Sequence, residues 1–525
     1  MKILQIGQLN WLEELGTLPE DLEWLFSRPE AIDSFLEEET KRALAQLPPS
    51  KEGEEPLKIR LHFDAILVTD SVKESALTQL MPTIEAYGLF CLPDLGLASE
   101  EPQGIFRRKV LRELPPFSSK DELVHFLHLT LFSSQYGAKL KIPEIDVNPL
   151  FRGKVTYEGH VSASFEGSFG EEFEPLFTFR YNLSSFPIAL ELWLEYIKVA
   201  GETKICLELV PMYRGSLYDM KAPLLLREEN LSSPYILEPD EEVGFYAVTV
   251  YAKGEGKLSF GPLHWRYSRM GLGRFVLGGE RYSDAKRQEF IYYFNPGDMK
   301  PPLNVYFSGF RSAEGFEGFG IMKSLKAPFM LIGDPRLEGG SFYGGTKPLE
   351  EALVRVIQES LAYLGFSSSD LILSGLSMGT FGALYYASQL EPYGVVVGKP
   401  FTNLGDTAAG MKLKRPDEFE TSADVLLNLT GGVEVDAIEQ LNHTFWDQFS
   451  QSSFPHTRFA IAYMENDDYD GQAAQRLIAH LSSKGAHIYT KGYEGRHNDN
   501  SRAINKWFMR QYKDLLEEGY GRKYS

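Results

Sequence analysis

Residues 371–383, LILSGLSMGTFGA, constrain the fold of this chain more than any other stretch. An apolar run meets a Gly-x-Ser-x-Gly pattern centred on Ser377 and leads into a helical sequence rich in Ala and Leu. In an α/β-hydrolase fold, a strand turns sharply into a helix at such a pattern and exposes its serine as a nucleophile. The flanking glycines permit the tight turn. The stretch therefore predicts a nucleophile elbow at Ser377, with an ordinary glycine turn as the alternative.

Charge and metal-ligand content exclude several classes of function. The formal net charge is −20, whereas nucleic acid and anionic membrane surfaces attract cationic patches, so neither is an expected partner. Cys91 and Cys206 lie far apart without a Cys-x-x-Cys spacing, which predicts two buried thiols rather than a disulfide or a zinc site. His125 and His128 have no third ligand nearby, so no metal site is expected.

The apolar runs of the chain are short. The N-terminal run, residues 1–7, has no long hydrophobic region and no small-residue cleavage site. No later stretch reaches the roughly 18 apolar residues that a membrane-spanning helix needs. We therefore expect a cytoplasmic protein without an integral membrane segment.

The first 148 residues alternate strand and helix patterns. Residues 2–6, 63–70 and 89–92 are predicted strands, and residues 22–47 are predicted to be mostly helical with a break at Pro29. The segment has neither a Gly-x-Gly-x-x-Gly nor a P-loop motif, so no bound nucleotide cofactor is expected. We expect residues 1–148 to form the first of three domains, an N-terminal α/β domain.

The hydrophobic pattern changes in residues 149–287, where short alternating apolar runs are separated by Gly, Ser, Pro and Asp turns. This pattern is typical of an antiparallel β-sandwich. Such modules can contact carbohydrate through exposed aromatic side chains, for which Tyr157, Trp193, Tyr213 and Trp265 are candidates. Aromatic residues on strands more commonly belong to the core.

Residues 288–525 return to alternating strands and helices, which predicts a parallel sheet with helices on both faces. The ligand site of such a sheet lies at the carboxyl ends of its strands. Residues 402–455 lack a clear strand pattern and are expected to form a cap over the site. The predicted fold class is therefore α/β, with a C-terminal α/β-hydrolase-like domain, a central β-sandwich and an N-terminal α/β domain.

The partners of Ser377 are expected after later strands, in the order serine, acid, histidine. Asp467 follows a predicted strand by three residues and is the preferred acid, with Glu465 and Asp468 as alternatives. His497 lies in a Gly-rich loop beyond that acid. In this order His497 takes the proton of Ser377 while the acid holds the imidazole tautomer. A solvated acidic turn is the competing interpretation of the carboxylates.

The oxyanion of an acyl-transfer reaction needs two backbone N–H donors. Met378, directly after the serine, is expected to supply one of them. The other should come from the turn after an early strand, where Gly309 and Phe310 stand, with Phe310 preferred. An ordinary strand-ending glycine is the alternative at this turn.

Five strings carry a resemblance over essentially the whole chain: MKILQIG at 1–7, GGSFYGG at 339–345, LSGLSMGTFGA at 373–383, GKPFTNLG at 398–405, and YMENDDYD at 463–470 with His497. Together they resemble the second of the accessory Sec secretion proteins of Gram-positive bacteria, which act in the export of serine-rich repeat glycoprotein adhesins. In some members the acid of the triad is a glutamate, so Glu465 stays open beside Asp467.

The resemblance implies a cytoplasmic acetyltransferase that O-acetylates N-acetylglucosamine on the adhesin's glycans and acts at the export site. Its implied partners are the glycosylated serine-rich repeat adhesin, other accessory Sec proteins and the accessory motor ATPase. No cofactor is required. The sequence does not identify the acyl donor, for which acetyl-CoA is a candidate. The alternatives are a carbohydrate esterase and a non-catalytic scaffold of the secretion complex with an idle triad.

Overall fold

Hydrogen bonding between strands gives three sheets in the computed structural model, which describes residues 1–46, 59–414 and 421–524. Contacts between residues group these sheets into two compact units. The first unit comprises Met1–Ser134, Arg269–Gly278 and Asn295–Lys300. The second unit contains Gln135–Ser268, Gly279–Phe294 and the chain from Pro301 onward. The division into three domains stays a prediction, since the structure places the β-rich and C-terminal segments in one unit.

The first unit contains a five-stranded parallel sheet in the order β2-β1-β3-β4-β5. Its strands and helices are β1 (Lys2–Ile6), β2 (Glu23–Ser27), α1 (Ile32–Ala45), β3 (Ala65–Val68), β4 (Leu89–Cys91), α2 (Ile105–Arg108), β5 (Arg112–Glu113) and α3 (Lys120–Thr130). The predicted N-terminal α/β class is confirmed. Apolar residues on both faces of the central strands make them core, as expected of a parallel sheet covered on both sides.

One secondary-structure prediction in this unit is wrong. The chain from Leu22 was expected to be helical, but β2 pairs there with β1, placing Trp24 beside Ile3. Pairing with β1, some twenty residues earlier in the chain, stabilises a strand here in spite of the helical spacing of the apolar residues. Sequence periodicity reports only local spacing and does not reveal such pairing. The helix begins at Ile32, beyond Pro29, and the end of the predicted segment lies outside the described residues.

The antiparallel region of the second unit forms one nine-stranded hydrogen-bonded sheet along the path β12-β11-β14-β9-β7. Its strands are β6 (Gly137–Leu140), β7 (Ile145–Val147), β8 (Lys154–Glu158), β9 (Ser162–Phe179), β10 (Leu183–Ser184), β11 (Leu190–Tyr213), β12 (Leu224–Arg227), β13 (Tyr235–Leu237) and β14 (Val243–Tyr267). Long strands β11 and β14 pair along nearly their whole length. One apolar cluster, which includes Phe165, Phe177 and Phe260, forms the core of this sheet.

Two of the aromatic residues considered for carbohydrate contact pack in or against the core, Trp193 buried and Trp265 partly buried. Trp193 is buried, with the guanidinium groups of Arg281 and Arg287 over its ring. Trp265 stacks on Phe186 with ring centroids 5.2 Å apart. Tyr157 and Tyr213 are exposed. The two tryptophans therefore stabilise the sheet.

The C-terminal region forms an eight-stranded sheet in the order β15-β16-β18-β17-β19-β20-β21-β22, parallel from β18 to β22. The strands are β15 (Gly279–Ser283), β16 (Glu289–Asn295), β17 (Leu303–Phe307), β18 (Phe329–Gly333), β19 (Leu371–Leu376), β20 (Gly394–Gly398), β21 (Arg458–Met464) and β22 (His487–Tyr493). The helices are α4 (Phe319–Ser324), α5 (Lys347–Leu364), α6 (Met378–Leu390), α7 (Leu404–Lys414), α8 (Ser422–Thr430), α9 (Val435–Phe449), α10 (Ala473–Ser483) and α11 (Ser501–Tyr520). The α/β-hydrolase-like class is confirmed.

The segment predicted to be a cap, 402–455, is largely helical. Helices α7, α8 and α9 lie between β20 and β21 and contact one another. Phe445 of α9 packs on Phe381 of α6, with ring centroids 5.6 Å apart. The segment is thus anchored to the helix that follows Ser377.

A cluster of buried charges joins the antiparallel sheet to the C-terminal sheet. Arg266 of β14 donates two hydrogen bonds to the carboxylate of Glu289 in β16 and one, at 2.5 Å, to Glu314 in the loop after β17. Glu314 also lies 2.6 Å from His264 Nδ1 and 3.0 Å from Lys139 Nζ. Although burial alone would raise the pKa of both carboxyls, Arg266 lowers each of them, that of Glu289 to about 2. Both therefore stay ionised in the interior.

Among the described residues, no helix is long and apolar enough to cross a membrane. Cys91 and Cys206 are both free and buried, as their spacing predicted.

Removing the cation at the centre of the cluster should strongly destabilise the second unit. Arg266→Met leaves two buried carboxylates without their main partner, and breaking a buried ion pair in this way costs about 3–5 kcal/mol. Chemical denaturation followed by circular dichroism measures the change. The exposed pair Arg180 and Asp146 provides the control, because Arg180→Met should leave the denaturation midpoint almost unchanged. Equal midpoints for the two variants would contradict the interpretation.

Acid should weaken the same cluster. The pKa of Glu289 falls from its usual 4.5 to about 2 on folding, so its stabilising contribution is complete above about pH 4.5 and disappears as the pH falls towards 2. We expect the melting temperature of wild type to drop steeply over this window and that of Arg266→Met to drop less. Scanning calorimetry in buffers across this range measures both curves, and parallel curves would refute the expectation.

Candidate active site

Ser377 lies at the sharp turn between β19 and α6, with φ 52° and ψ −123°. A non-glycine residue at positive φ is strained, and such strain concentrates at functional sites. A Cβ at Gly375 would lie 2.3 Å from the Gly379 carbonyl oxygen, and one at Gly379 would lie 2.0 Å from that of Phe307. Only glycine fits at these two positions, because helix and strand backbones are almost in contact. The pattern therefore forms the turn that the sequence predicted.

The structure brings together the three side chains that the sequence placed in one reaction. Ser377 Oγ lies 2.8 Å from His497 Nε2, and His497 Nδ1 lies 2.8 Å from Asp467 Oδ2. The side chains of His497 and Asp467 are almost fully buried. With Nδ1–H donated to the carboxylate, Nε2 is free of its proton and can accept that of the serine.

The alternative acids have other roles. Asp468 Oδ1 accepts the backbone N–H of His497 at 3.0 Å, and its Oδ2 pairs with Arg496. Burial would raise the pKa of Asp468, but these donors hold it below its usual value. Glu465 is exposed, and only Asp467 of the three contacts the imidazole of His497 among the described residues. Geometry therefore selects Asp467 over Glu465 and Asp468.

A turn holds the acid in place. Asp467 Oδ1 accepts the backbone N–H groups of Tyr469 and Asp470, at 2.9 and 3.3 Å. Asp470 in turn accepts the N–H groups of Thr402 and Asn403, each at 2.7 Å. Burial raises the pKa of Asp470. The loop after β20 and the acid loop after β21 are thus fixed to each other.

Aromatic side chains surround the serine and the imidazole. The ring of Tyr469 lies 4.3 Å from that of His497, and the ring of Phe401 lies 5.1 Å from it. A cavity of about 300 Å³ opens over Ser377, and Phe310, Phe342 and Met378 also line it. Its mostly apolar walls suit a small acyl group and offer few hydrogen-bond partners to water.

The candidate oxyanion donors differ in availability. The N–H of Met378 opens α6, where the first turn leaves amides without intrahelical acceptors. The N–H of Gly309 donates to Glu317 Oε2 at 2.6 Å. The prediction that Gly309 donates to the oxyanion is therefore corrected, because its N–H already donates to the carboxylate of Glu317. Phe310 remains the second candidate from this turn.

The GGSFYGG string at 339–345 fixes the loop that carries Phe310. Asp334 Oδ2 accepts the N–H groups of Ser341 and Tyr343, both at 2.9 Å, and the Asp334 carboxylate pairs with the buried Arg336. The hydroxyl of Tyr343 donates to the carbonyl oxygen of Ser308 at 2.5 Å. The end of β17 is thereby held beside the elbow.

Sequence reasoning missed Phe401, Tyr469 and Lys399. Phe401 and Lys399 stand in the GKPFTNLG string and Tyr469 in the acidic cluster, but neither pattern predicts a role for these three residues. Lys399 Nζ donates to the Asp499 carbonyl oxygen and to Ser501 Oγ, which anchors the loop after His497. Burial lowers the pKa of Lys399. The sequence does not predict the contacts of Phe401, Tyr469 and Lys399, because each contact joins residues that are distant along the chain.

The predicted cap does not cover the serine directly. None of the described residues of α7, α8 or α9 lines the cavity over Ser377. Thr421 at the start of α8, together with Asp424 and Asn428 within it, instead lines a neighbouring cavity.

The chain matches known proteins over nearly its full length. A family model described as Accessory Sec system GspB-transporter matches residues 1–522. A curated accessory Sec system protein from Staphylococcus aureus (strain NCTC 8325 / PS 47) is 42% identical over 463 residues, covering 88% of each chain. Another from Streptococcus gordonii is 37% identical over 524 residues, covering 100% of this chain and 99% of the relative.

A solved structure agrees with the fold of the whole chain. The Glycosylation Associate Protein (Gap123) complex from Streptococcus agalactiae contains a chain that is 41% identical and superposes with a TM-score of 0.91. The match covers 100% of this chain and 99% of that one.

Replacing the acid should reveal which carboxylate serves the histidine. Asp467→Asn keeps the shape of the side chain but favours the wrong imidazole tautomer, so the rate of 4-nitrophenyl acetate cleavage should fall by about 10³–10⁴-fold. Glu465→Gln is the matched control, since Glu465 does not contact His497, and its rate should stay within about twofold of wild type. A larger loss in Glu465→Gln than in Asp467→Asn would reverse the assignment.

Proposed function

This chain belongs to the family described as Accessory Sec system GspB-transporter, and we propose that it is a serine-dependent O-acetyltransferase acting within that system. The proposed acceptor is N-acetylglucosamine on the glycans of a serine-rich repeat adhesin. The observation that carries the enzymatic proposal is the hydrogen-bonded series Ser377, His497, Asp467 at a strained elbow. The sugar and the adhesin follow from the family resemblance.

In the first half-reaction His497 Nε2 takes the proton of Ser377 Oγ. The serine oxygen then attacks the carbonyl carbon of the acyl donor. Negative charge develops on the carbonyl oxygen, and the N–H groups of Met378 and Phe310 are the proposed donors to it. The bond to the leaving group breaks, and His497 returns the proton to that group. Asp467 keeps the imidazolium oriented throughout. The product is an acetyl ester of Ser377.

In the second half-reaction a sugar hydroxyl takes the place of the leaving group. It gives its proton to His497 Nε2 and attacks the acetyl carbon, and Ser377 Oγ departs with that proton. Water in the same position would give hydrolysis, which is the esterase alternative. The mostly apolar walls around Ser377 favour transfer, because they offer few hydrogen-bond partners that would hold a water ready to attack the ester.

The reaction needs an activated acetyl donor but no bound cofactor. An ester or thioester supplies the acetyl group in the steps above, and acetyl-CoA is the donor we propose. Each proton transfer is carried by His497 alone.

We further propose that the chain works in a complex with other accessory Sec proteins. Its relative from Streptococcus agalactiae was solved as part of the Glycosylation Associate Protein (Gap123) complex. The glycosylated adhesin and the accessory motor ATPase are the remaining proposed partners, with the complex on the cytoplasmic side of the export site. A scaffold with an idle triad is the alternative.

Replacing the nucleophile should separate these possibilities. A strain carrying Ser377→Ala should lose acetylation of the adhesin glycans by about 10³-fold or more, because no acyl-enzyme can form. Mass spectrometry of released glycans measures acetylation, and immunoblotting of the secreted fraction measures export. Ser388→Ala on the same helix is the matched control.

Each outcome of this experiment has a distinct meaning. Lost acetylation with normal export would assign separate enzymatic and scaffolding roles to the protein. Unchanged acetylation in Ser377→Ala would contradict the proposed enzymatic activity and favour a scaffold with an idle triad. Free acetate in place of acetylated sugar, measured with purified wild type, would favour the esterase.

A further inference from the structure

A second cavity adjoins the one that contains Ser377. Its volume is about 410 Å³, within the range of small-molecule sites. Residues of the antiparallel region line one side, among them Lys139, Ile142 and Val161. Gln288 and Asn428, from the C-terminal region, line the other. The cavity therefore lies within the second unit, where its two sheets meet.

Phe310 lies between the two cavities, because it lines both, and it is 46% exposed, so a linked pair of sugars would pass over its ring. Its ring lies directly over Gly339, where an added Cβ would stand 2.0 Å from Phe310 Cε2. Phe310 also belongs to the loop proposed to stabilise the oxyanion. A ligand in the second cavity would thus lie one side chain away from the reacting carbonyl.

The cations that line the second cavity are already paired. Each of its three cationic residues, and the imidazole of His160, lies within 3.0 Å of a carboxylate, in the pairs Lys139–Glu314, Lys141–Glu338, Arg336–Asp334 and His160–Asp424. The carboxylates of Glu144 and Glu195 also line the cavity and would repel an anion. Among the described residues, none of the lining cations is left to neutralise a phosphate. The cavity therefore favours a neutral ligand over a nucleotide or the phosphates of coenzyme A.

The remaining polar groups suit hydroxyls. Gln288 Nε2 donates one of its two N–H groups to Asn428 Oδ1 at 3.2 Å, while Gln288 Oε1 accepts from Arg336 at 3.0 Å. The second N–H of Gln288 and the second lone pair of Asn428 Oδ1 are the groups that a ligand would use. Side-chain amides offer both donors and acceptors, as a sugar hydroxyl requires. Val161, Ile142 and Pro262 supply apolar surface for the C–H faces of a ring.

We propose that this cavity is a second saccharide subsite, which binds the neutral sugar linked to the one acetylated at Ser377. The inference rests on the proposed function, since it needs a sugar at Ser377. It assigns the β-rich region a part in substrate binding through Lys139, Ile142 and Val161. The occupied subsite would orient the acceptor hydroxyl towards the acetyl ester across Phe310.

Filling the cavity tests the proposal. Purified full-length protein is given acetyl-CoA and either N-acetylglucosamine or its β-1,4-linked dimer, and mass spectrometry measures acetylated sugar. For wild type we expect a KM about tenfold lower for the dimer, because only the dimer reaches both subsites. Val161→Trp places an indole in the cavity and should reduce this difference to less than about twofold.

Two further variants make the test robust. Glu172→Trp adds the same indole to an exposed position of β9 and should keep the wild-type preference for the dimer. Asn428→Ala removes a polar group without adding bulk and should also narrow the difference, in case Val161→Trp fails to fold.

The outcomes distinguish failure of the subsite from failure of the proposed function. Equal KM values for monomer and dimer in wild type, or a dimer preference that survives in both Val161→Trp and Asn428→Ala, would overturn the subsite alone. If Val161→Trp or Asn428→Ala raised the KM of acetyl-CoA rather than that of the sugar, the cavity would belong to the acetyl donor. That result would also overturn the saccharide subsite. No acetylation of either sugar by wild type would overturn the proposed function together with the subsite.

Discussion

The buried carboxylate of Glu314 joins the two sheets of the second unit. A buried anion is tolerated only when cations and hydrogen-bond donors replace its water. Arg266, His264 and Lys139, all from the antiparallel sheet, supply that replacement. Because Glu314 follows β17 in the C-terminal region, the charge requirement forces the two sheets together at one place. The backbone of Glu314 is fixed as well, through its N–H bond to the carbonyl oxygen of Gly137.

This constraint extends to the candidate active site through a short loop. Gln135 holds Phe316 by hydrogen bonds to both its N–H and its carbonyl oxygen. Glu317 occupies the amide of Gly309, and Tyr343 holds Ser308. The loop from 308 to 317 is therefore clamped on both sides, with Phe310 between its anchors. The antiparallel sheet thus helps to build the site rather than forming a separate appendage.

The same clamped loop links the proposed chemistry to the proposed substrate. Phe310 lines both the cavity over Ser377 and the cavity beside it, whose cations are all paired with carboxylates. An acetyl group suits the first, and a neutral sugar suits the second. A transferase needs its acceptor held and water excluded at the same ester. Two adjoining cavities provide one place for the acetyl group and another for the proposed acceptor.

The sequence alone determined the α/β class, the strand-turn-helix at Ser377 and the serine, acid, histidine order. These follow from local periodicity and from turn chemistry that only glycine permits. Tertiary structure decided which carboxylate contacts His497 and which amide after β17 is already occupied. It buried Trp193 and packed Trp265 against the core. It also turned a predicted helical segment into β2 and created the second cavity. Each of these depends on contacts between residues far apart along the chain, which local patterns do not contain.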